Sequence, residues 1–389
     1  PPARTLAQLY DMQRHPALQS KLTYPSPTTG DPVSLSFIQP RSIEDLVRRR
    51  MMFKDWADFS GGMLGRTPDY LNAILAGCAW SLPHFAKNGA EYAERISAYY
   101  EFCRERDLCG THTFVDPQIN RARSQSEQAD PSVPLHVVGD SAEGLIVSGA
   151  RMLATLAPYA DELYVFPSPS RTQQSDAPRF AFAFTVPVGT PGLKFICRDS
   201  LDTGGSPADY PLASRYEEMD AVAVFHNVVV PWERVFVHMD AILAREIYIR
   251  TPGHCYGNHQ SNVRFHAKMQ LIVGLASRIA HASGANEVPA VREVLGRFAA
   301  LEAALGGMIA GQIQDAEDWP EGYKTFNRRY MYAALNWCTE SHSAIIDALR
   351  ELCGGGIFQM PADASVMHDP KVRQLFEAYW QTPQLPALE

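Results

Sequence analysis

Apolar residues recur at helical spacing through the first third of the chain. Ile43 to Met52 and Tyr70 to Cys78 carry them on a helical period. Ala86 to Cys109 predicts a long helix with Ala90, Ala93, Ile96, Tyr99, Tyr100 and Cys103 along one side. Gly110 is its expected stop. The pattern then shortens. Residues 116–134 are polar, and a series of short β-rich runs follows: His136 to Val138, Gly144 to Gly149, Leu163 to Phe166, Phe180 to Val186, Leu193 to Cys197, Ala221 to Phe225 and Asn227 to Pro231. Gly, Pro, Asp and Ser bound these runs, which predicts a compact antiparallel sandwich or barrel. Residues 167–178 read as a Pro-, Ser- and Gln-rich loop. From Met239 the helical spacing returns, at Phe265 to Ala282, Val291 to Gln314 and Tyr323 to Leu352, the last ended by Gly354-Gly355-Gly356. Long helices with short connections make a bundle. The expected fold class is therefore α+β: an N-terminal helical domain (1–109), a central β domain (110–238) and a C-terminal helical bundle (239–389).

Composition narrows the function. The 389 residues carry a formal net charge of −8 and no basic block, which argues against nucleic acid or an acidic membrane surface as partner. The seven cysteines are odd in number and lack a CxxC pair, so neither a disulfide framework nor a zinc site is expected. Free buried thiols in a reducing cytosol fit better. We expect no bilayer-spanning run and no signal peptide, hence a soluble, cytoplasmic protein. No P-loop is present, and no GxGxxG follows a strand.

Candidate chemistry lies in two stretches. Gly65-Arg66-Thr67-Pro68-Asp69-Tyr70 places a permanent cation and a phenol four residues apart, and Pro68 suits the first position of a helix, with Asp69 favoured by the helix dipole. Thr111-His112-Thr113-Phe114 sits where helix gives way to strand, and domain junctions are where pockets form. Arg66, Tyr70 and His112 converging on one pocket would bind and polarise a phenol. The plainer reading is a surface Arg and a half-buried core Tyr. In the polar stretch, Gln125, Ser126, Glu127 and Gln128 supply hydrogen-bonding side chains suited to a ring edge, or form an ordinary polar loop.

Together with Gly149-Ala150-Arg151-Met152-Leu153-Ala154-Thr155, Asp116-Pro117-Gln118, Asn227-Val228-Val229-Val230-Pro231-Trp232-Glu233 and Gly354-Gly355-Gly356-Ile357, these stretches resemble the oxygenase component of 4-hydroxyphenylacetate 3-monooxygenase over nearly the whole chain. That family comprises two-component, flavin-dependent phenol hydroxylases on an acyl-CoA dehydrogenase-like fold. The resemblance implies reduced FAD delivered by a separate reductase, dioxygen as co-substrate, a flavin C4a-hydroperoxide, and ortho-hydroxylation of a phenol, free or carrier-tethered, to a catechol. It implies that Arg66, Tyr70 and His112 hold the phenolic hydroxyl. It also implies that His112, Thr113, Phe114, Gln125, Ser126, Glu127, Gln128 and Thr155 contact the flavin, with no metal. On chemical grounds His112 is expected to share the phenolic proton, because imidazole titrates near working pH. A homotetramer built as a dimer of dimers is expected from the long amphipathic bundle.

Relative to that family the chain starts and stops early, so the C-terminal bundle is expected to lack helices that complete the flavin site. Arg171, in the 167–178 loop, is the candidate anchor for a substrate carboxylate, with a solvated charge as the alternative. Three other readings stay open. 4-Hydroxybutyryl-CoA dehydratase is similar in fold, but its iron–sulfur cluster needs cysteines where this chain has Arg66 and Tyr70. An acyl-CoA dehydrogenase needs a carboxylate base that no motif locates here. A non-catalytic oligomeric helical scaffold is the third.

Overall fold

The computed structural model describes residues 2–117, 119–124, 126–167 and 178–383. Gln118, Gln125 and the segment 168–177, which includes Arg171, lie outside them. Helices come first, then two sheets, then long helices again.

In the first part the helix Ile43–Phe59 begins at a capping box. Ser42 Oγ accepts from the Asp45 amide, and the Asp45 carboxylate accepts from the Ser42 amide, each at 3.1 Å. The helix Pro68–Ala79 starts at Pro68, as its fixed φ favours. After a short helix at Leu82–Phe85, the next long helix is shorter than its apolar spacing suggests: Ala90–Arg106, after a single 3-10 turn at Ala86–Asn88. Asp107 ends it in the left-handed conformation at φ 51°, so Gly110 is not the stop. Gly110 instead opens a strand, where a Cβ would sit 2.7 Å from the Tyr164 ring.

The β part is two four-stranded sheets and not a closed barrel. One runs in the order Val235–His238, Phe182–Pro187, Glu162–Val165, Gly110–Thr113. The other runs His136–Asp140, Gly144–Arg151, Ala221–Pro231, Leu193–Cys197. Leu145, Val147, Leu163, Val165, Phe184, Phe225, Val228 and Val230 fill the core between them. Among the described strands of these sheets, pairing is antiparallel except that Gly110–Thr113 runs parallel to Glu162–Val165, setting His112 opposite Tyr164. The two runs around Phe225 and Val228 form one strand, kinked at Asn227 (φ 47°). Ser148 Oγ donates to Asn227 Oδ1 at 3.0 Å and accepts from the Asn227 amide at 2.9 Å, which stabilises that conformation.

The last part is built on Gly253–Ser283, Pro289–Gln314 and Arg328–Leu352. Phe53 and Trp56 of the first part pack with Val263, Met269, Phe298, Leu305, Ile309 and Met331 in one core, so the N-terminal helices and the bundle share an interior. Pro289–Gln314 corrects one expectation: its 26 residues are long and apolar enough to cross a membrane by length and composition alone, with only 17% of its most apolar window buried. Residues 323–325 form a strand instead of opening the helix Arg328–Leu352. The seven cysteines are free thiols, five of them buried.

Candidate functional site

The helix Pro68–Ala79 lies against Gly253–Ser283 with almost no side chain between them. A Cβ on Gly77 would be 2.6 Å from the Gly253 amide nitrogen, and one on Gly257 would be 3.0 Å from Tyr70 Cε2. This close approach fixes Tyr70, at the N-terminal end of the helix, against the bundle. Asp69 is fully buried beside it, where it accepts from the Tyr70 amide at 3.1 Å and from the Thr67 hydroxyl. Gln260 Nε2 donates to both its carboxylate oxygens, at 3.2 and 3.3 Å. Burial pushes the Asp69 carboxyl up to about 6, against the lowering effect of those hydrogen bonds.

Three sequence-predicted residues meet here. The Arg66 guanidinium stands 4.5 Å over the Tyr70 ring centroid, a cation–π distance. Tyr70 and His112 have ring centroids 5.5 Å apart, and His112 meets Phe114 edge-on at 4.2 Å. Phe114 in turn stacks on Phe166 at 5.9 Å and meets the edge of Tyr248 at 6.2 Å. The His112 Nδ1 is buried and, among the described residues, has no hydrogen-bond partner. Burial first, and the Arg66 charge second, push the His112 pKa down to about 3. His112 is therefore neutral at working pH in the unliganded protein, and the expectation that it titrates there is corrected. What the imidazole offers is an unsatisfied hydrogen-bonding nitrogen.

The other predicted residues are placed differently. Thr113 is buried with its hydroxyl donating to the Met152 carbonyl at 2.8 Å. Thr155 Oγ1 donates to Asp220 Oδ1 at 2.6 Å, and its carbonyl accepts from the Thr111 hydroxyl. Glu127 is exposed and turns back on Ser124, accepting from its amide at 3.0 Å and its hydroxyl at 2.9 Å. Ser126 Oγ lies 3.3 Å from Ser124 Oγ. Gln128 is buried as the internal strut of its loop. Its Oε1 accepts from the Asn120 amide at 3.0 Å, and its Nε2 reaches the carbonyls of Asn120, Arg123 and Ser124 at 3.0–3.1 Å. The side chains of Thr113, Thr155, Glu127 and Gln128 are thus occupied within the protein, and any flavin contact there falls to backbone groups or to exchange of these bonds. Gln125 lies outside the described residues.

A buried ion pair ties the site to the second sheet. Arg151 Nη1 lies 3.2 Å from Asp116 Oδ1 and donates to the Phe114 carbonyl at 3.3 Å. Two stretches far apart in sequence, Asp116-Pro117 and Gly149-Ala150-Arg151, therefore meet directly behind Phe114. Sequence reasoning missed Glu218, Gln260 and Arg264. Glu218 accepts from the amides of Gly65 and Arg66, and Arg264 donates to the Gly62 carbonyl at 3.1 Å. No local motif marks any of them.

N-terminal helices, two packed sheets and a long-helix bundle, with Arg66, Tyr70 and His112 meeting where they join, show the acyl-CoA dehydrogenase-like fold. The fold is shared with an archaeal 4-hydroxybutyryl-CoA dehydratase (TM-score 0.83, 19% identity, 98% of this chain and 76% of that one), a likeness in fold alone. Among the described residues, no three His, Cys, Asp or Glu side chains gather as a metal-binding group. Within the class, the profile of 4-hydroxyphenylacetate 3-hydroxylase N terminal matches residues 1–237 and that of its C terminal matches residues 244–389, so the chain belongs to this family. The 4-hydroxyphenylacetate 3-monooxygenase oxygenase component of Geobacillus sp. strain PA-9 is 37% identical over 366 residues, 94% of this chain and 74% of that protein. Its namesake in Thermus thermophilus is 37% identical, over 92% of this chain and 73% of the relative. A solved structure of such an oxygenase component, complexed with FAD and 4-hydroxyphenylacetate, superposes with TM-score 0.93 at 36% identity, over 99% of this chain and 78% of the other.

Proposed function

We propose that this chain is the oxygenase component of a two-component, FAD-dependent monooxygenase that hydroxylates a phenol ortho to its hydroxyl group, giving a catechol. The observation that carries the reading is the convergence of Arg66, Tyr70 and the orphaned Nδ1 of His112 in one buried corner, in a chain of this family. The reduced flavin comes from a separate reductase; when bound it activates dioxygen, so that one oxygen atom enters the ring and the other leaves as water.

The residues present fit such a cofactor. Gly110–Thr113 is the edge strand of its sheet, so among the described residues one side of its backbone has no strand partner, and Phe114 offers an aromatic face. The backbone of His112, Thr113 and Phe114 would hold the ring edge, with Thr155 and the Ser126–Gln128 loop beside it.

The chain's own groups divide the remaining work. Arg66 carries the fixed positive charge that stabilises phenolate character in the substrate. Neutral His112 accepts or donates at the phenolic oxygen without changing the charge of the site. Tyr70 orients the substrate ring by a hydrogen bond from its hydroxyl. Phe114, Phe166 and Tyr248 wall the pocket against water, which would divert reduced flavin and oxygen to hydrogen peroxide.

The protein is read as a homotetramer. Its motivation is apolar surface on the bundle: Leu271, Leu275, Tyr330, Tyr332 and Ile346 are all exposed in the single chain. A cytoplasmic location fits seven unpaired thiols. The test of the activity is anaerobic photoreduction of added FAD with the protein, followed by oxygen and 4-hydroxyphenylacetate or another simple phenol. Catechol formed in proportion to flavin consumed supports the reading. Hydrogen peroxide alone with every phenol overturns it.

A further inference from the structure

The residues just before Pro68 have no regular structure, so the position of the Arg66 side chain depends on what holds its backbone. The amides of Gly65 and Arg66 both donate to a single oxygen, Glu218 Oε1, at 2.5 and 2.7 Å. Glu218 comes from the other side of the junction, just before the strand Ala221–Pro231, more than 150 residues along the chain. The contact leaves no room for a side chain opposite it unless the carboxylate moves. A Cβ on Gly65 would lie 2.9 Å from Glu218 Oε2, so Gly65 serves this close approach and not an unusual φ. The guanidinium of Arg66 has little else to direct it. Among the described residues, besides the Tyr70 ring it reaches the Gly65 carbonyl, at 3.2 Å. Among the described residues, no cation lies within ion-pair distance of Glu218; the nearby Arg198 pairs with Glu217 at 2.7 Å. Burial pushes the Glu218 carboxyl upward, while the two amides, Arg264 and Arg66 favour its charged form.

We propose that Glu218 is a positioning residue for the hydroxylation: by accepting both amides through one oxygen, it sets where the Arg66 guanidinium stands over Tyr70. This rests on the reading of Arg66 as the partner of the phenolic oxygen. The role is geometric, so it belongs to the acceptor oxygen and not to the negative charge. Small displacements of a catalytic group cost up to about a hundredfold in rate.

The experiment compares Glu218→Gln, Glu218→Ala and Arg66→Ala in the full chain. The first readout is hydrogen–deuterium exchange of the peptide containing Gly65 and Arg66, measured without flavin or substrate. The second is catechol formed from 4-hydroxyphenylacetate per reduced FAD consumed, together with kcat and KM. Glu218→Gln keeps a neutral acceptor at Oε1, and it is expected to protect the two amides and to couple within about threefold of wild type. Glu218→Ala is expected to speed exchange and to lower coupling at least about tenfold, through kcat more than KM. Should Glu218→Ala not fold, Gly65→Ala, whose Cβ would lie 2.9 Å from Glu218 Oε2, moves the carboxylate without removing it, and the same losses are expected. If Gln is as poor as Ala, charge and not position is what matters, and the proposal falls. It falls equally if the alanine variant exchanges fast yet couples like wild type while Arg66→Ala does not. Wild-type coupling in Arg66→Ala would instead overturn the reading of Arg66 itself.

Discussion

Neutral His112 makes a prediction whose size follows from its surroundings. Folding lowers its pKa from the ordinary 6.5 to about 3. Between those values the unfolded chain binds a proton that the folded chain does not, so the stability contributed by neutral His112 is complete above about pH 6.5 and is lost as pH falls. At pH 5, about 1.5 units below the unfolded pKa, the loss is about 2 kcal/mol, at about 1.4 kcal/mol per unit. The wild-type curve will not display this loss cleanly. His259, also pushed down to about 3 by burial, adds a loss of the same sign. Asp69 and Asp107, both raised to about 6 by burial, act in reverse: between 3.8 and about 6 the folded state holds the proton, so these two groups add stability as pH falls. The difference between wild type and His112→Asn isolates the term. In urea denaturation at pH 7 and pH 5, the variant should gain about 2 kcal/mol on wild type as the pH drops. Parallel curves would mean that His112 is wet enough to titrate as it does in the unfolded chain, and a relative gain by wild type would mean that it is charged in the folded protein. It would then be the proton acceptor expected from imidazole chemistry and not a neutral partner. By the same reasoning, the pH dependence of hydroxylation should carry no limb from His112 near 6.5.

Arg66→Ala should lower hydroxylation at least about tenfold. Its fold should survive, because the half-buried side chain packs chiefly on Tyr70; turnover and a thermal melt check both. Tyr70→Phe keeps the ring volume but removes the orienting hydroxyl, so oxygen consumption should continue while catechol per reduced flavin falls and hydrogen peroxide rises. An unchanged ratio would leave Tyr70 only a wall. Light scattering on the protein should give a tetramer mass, and a monomer would reject the reading of the bundle's apolar surface as a subunit interface.

Much of this architecture is legible in local pattern. The short β-rich runs at residues 144–149, 163–166 and 182–186 fall in strands, the latter two buried on both faces, and Pro68 marks a helix start that the structure keeps. Arg66, Tyr70 and His112 are brought together as their residue types suggest. What was not legible depends on distant partners. Nothing around Gly110 announces that Asp107 has already ended the helix, or that the next four residues pair parallel to Glu162–Val165. The strand Val235–His238 is too short to stand out from the run before it. Gln260 lies on a helix whose spacing fits a core face, yet its amide serves Asp69, 191 residues away. The depressed pKa of His112 and the internal role of Gln128 are set by burial, which residue type does not reveal.

On the flavin contact proposed for its loop, Gln128 has a kinetic meaning. A protein fed by a second enzyme must catch its cofactor from solution before dissolved oxygen destroys it, and a collision succeeds only if the receiving surface is already in shape. Because one amide side chain spans the carbonyls of Asn120, Arg123 and Ser124 and takes up the Asn120 amide, the described part of that loop is held together before anything arrives. The ordering cost falls on folding and not on capture, so the encounter need not wait for a rearrangement. In a relay between two proteins, the rigidity of that stretch is a matter of timing as much as of affinity.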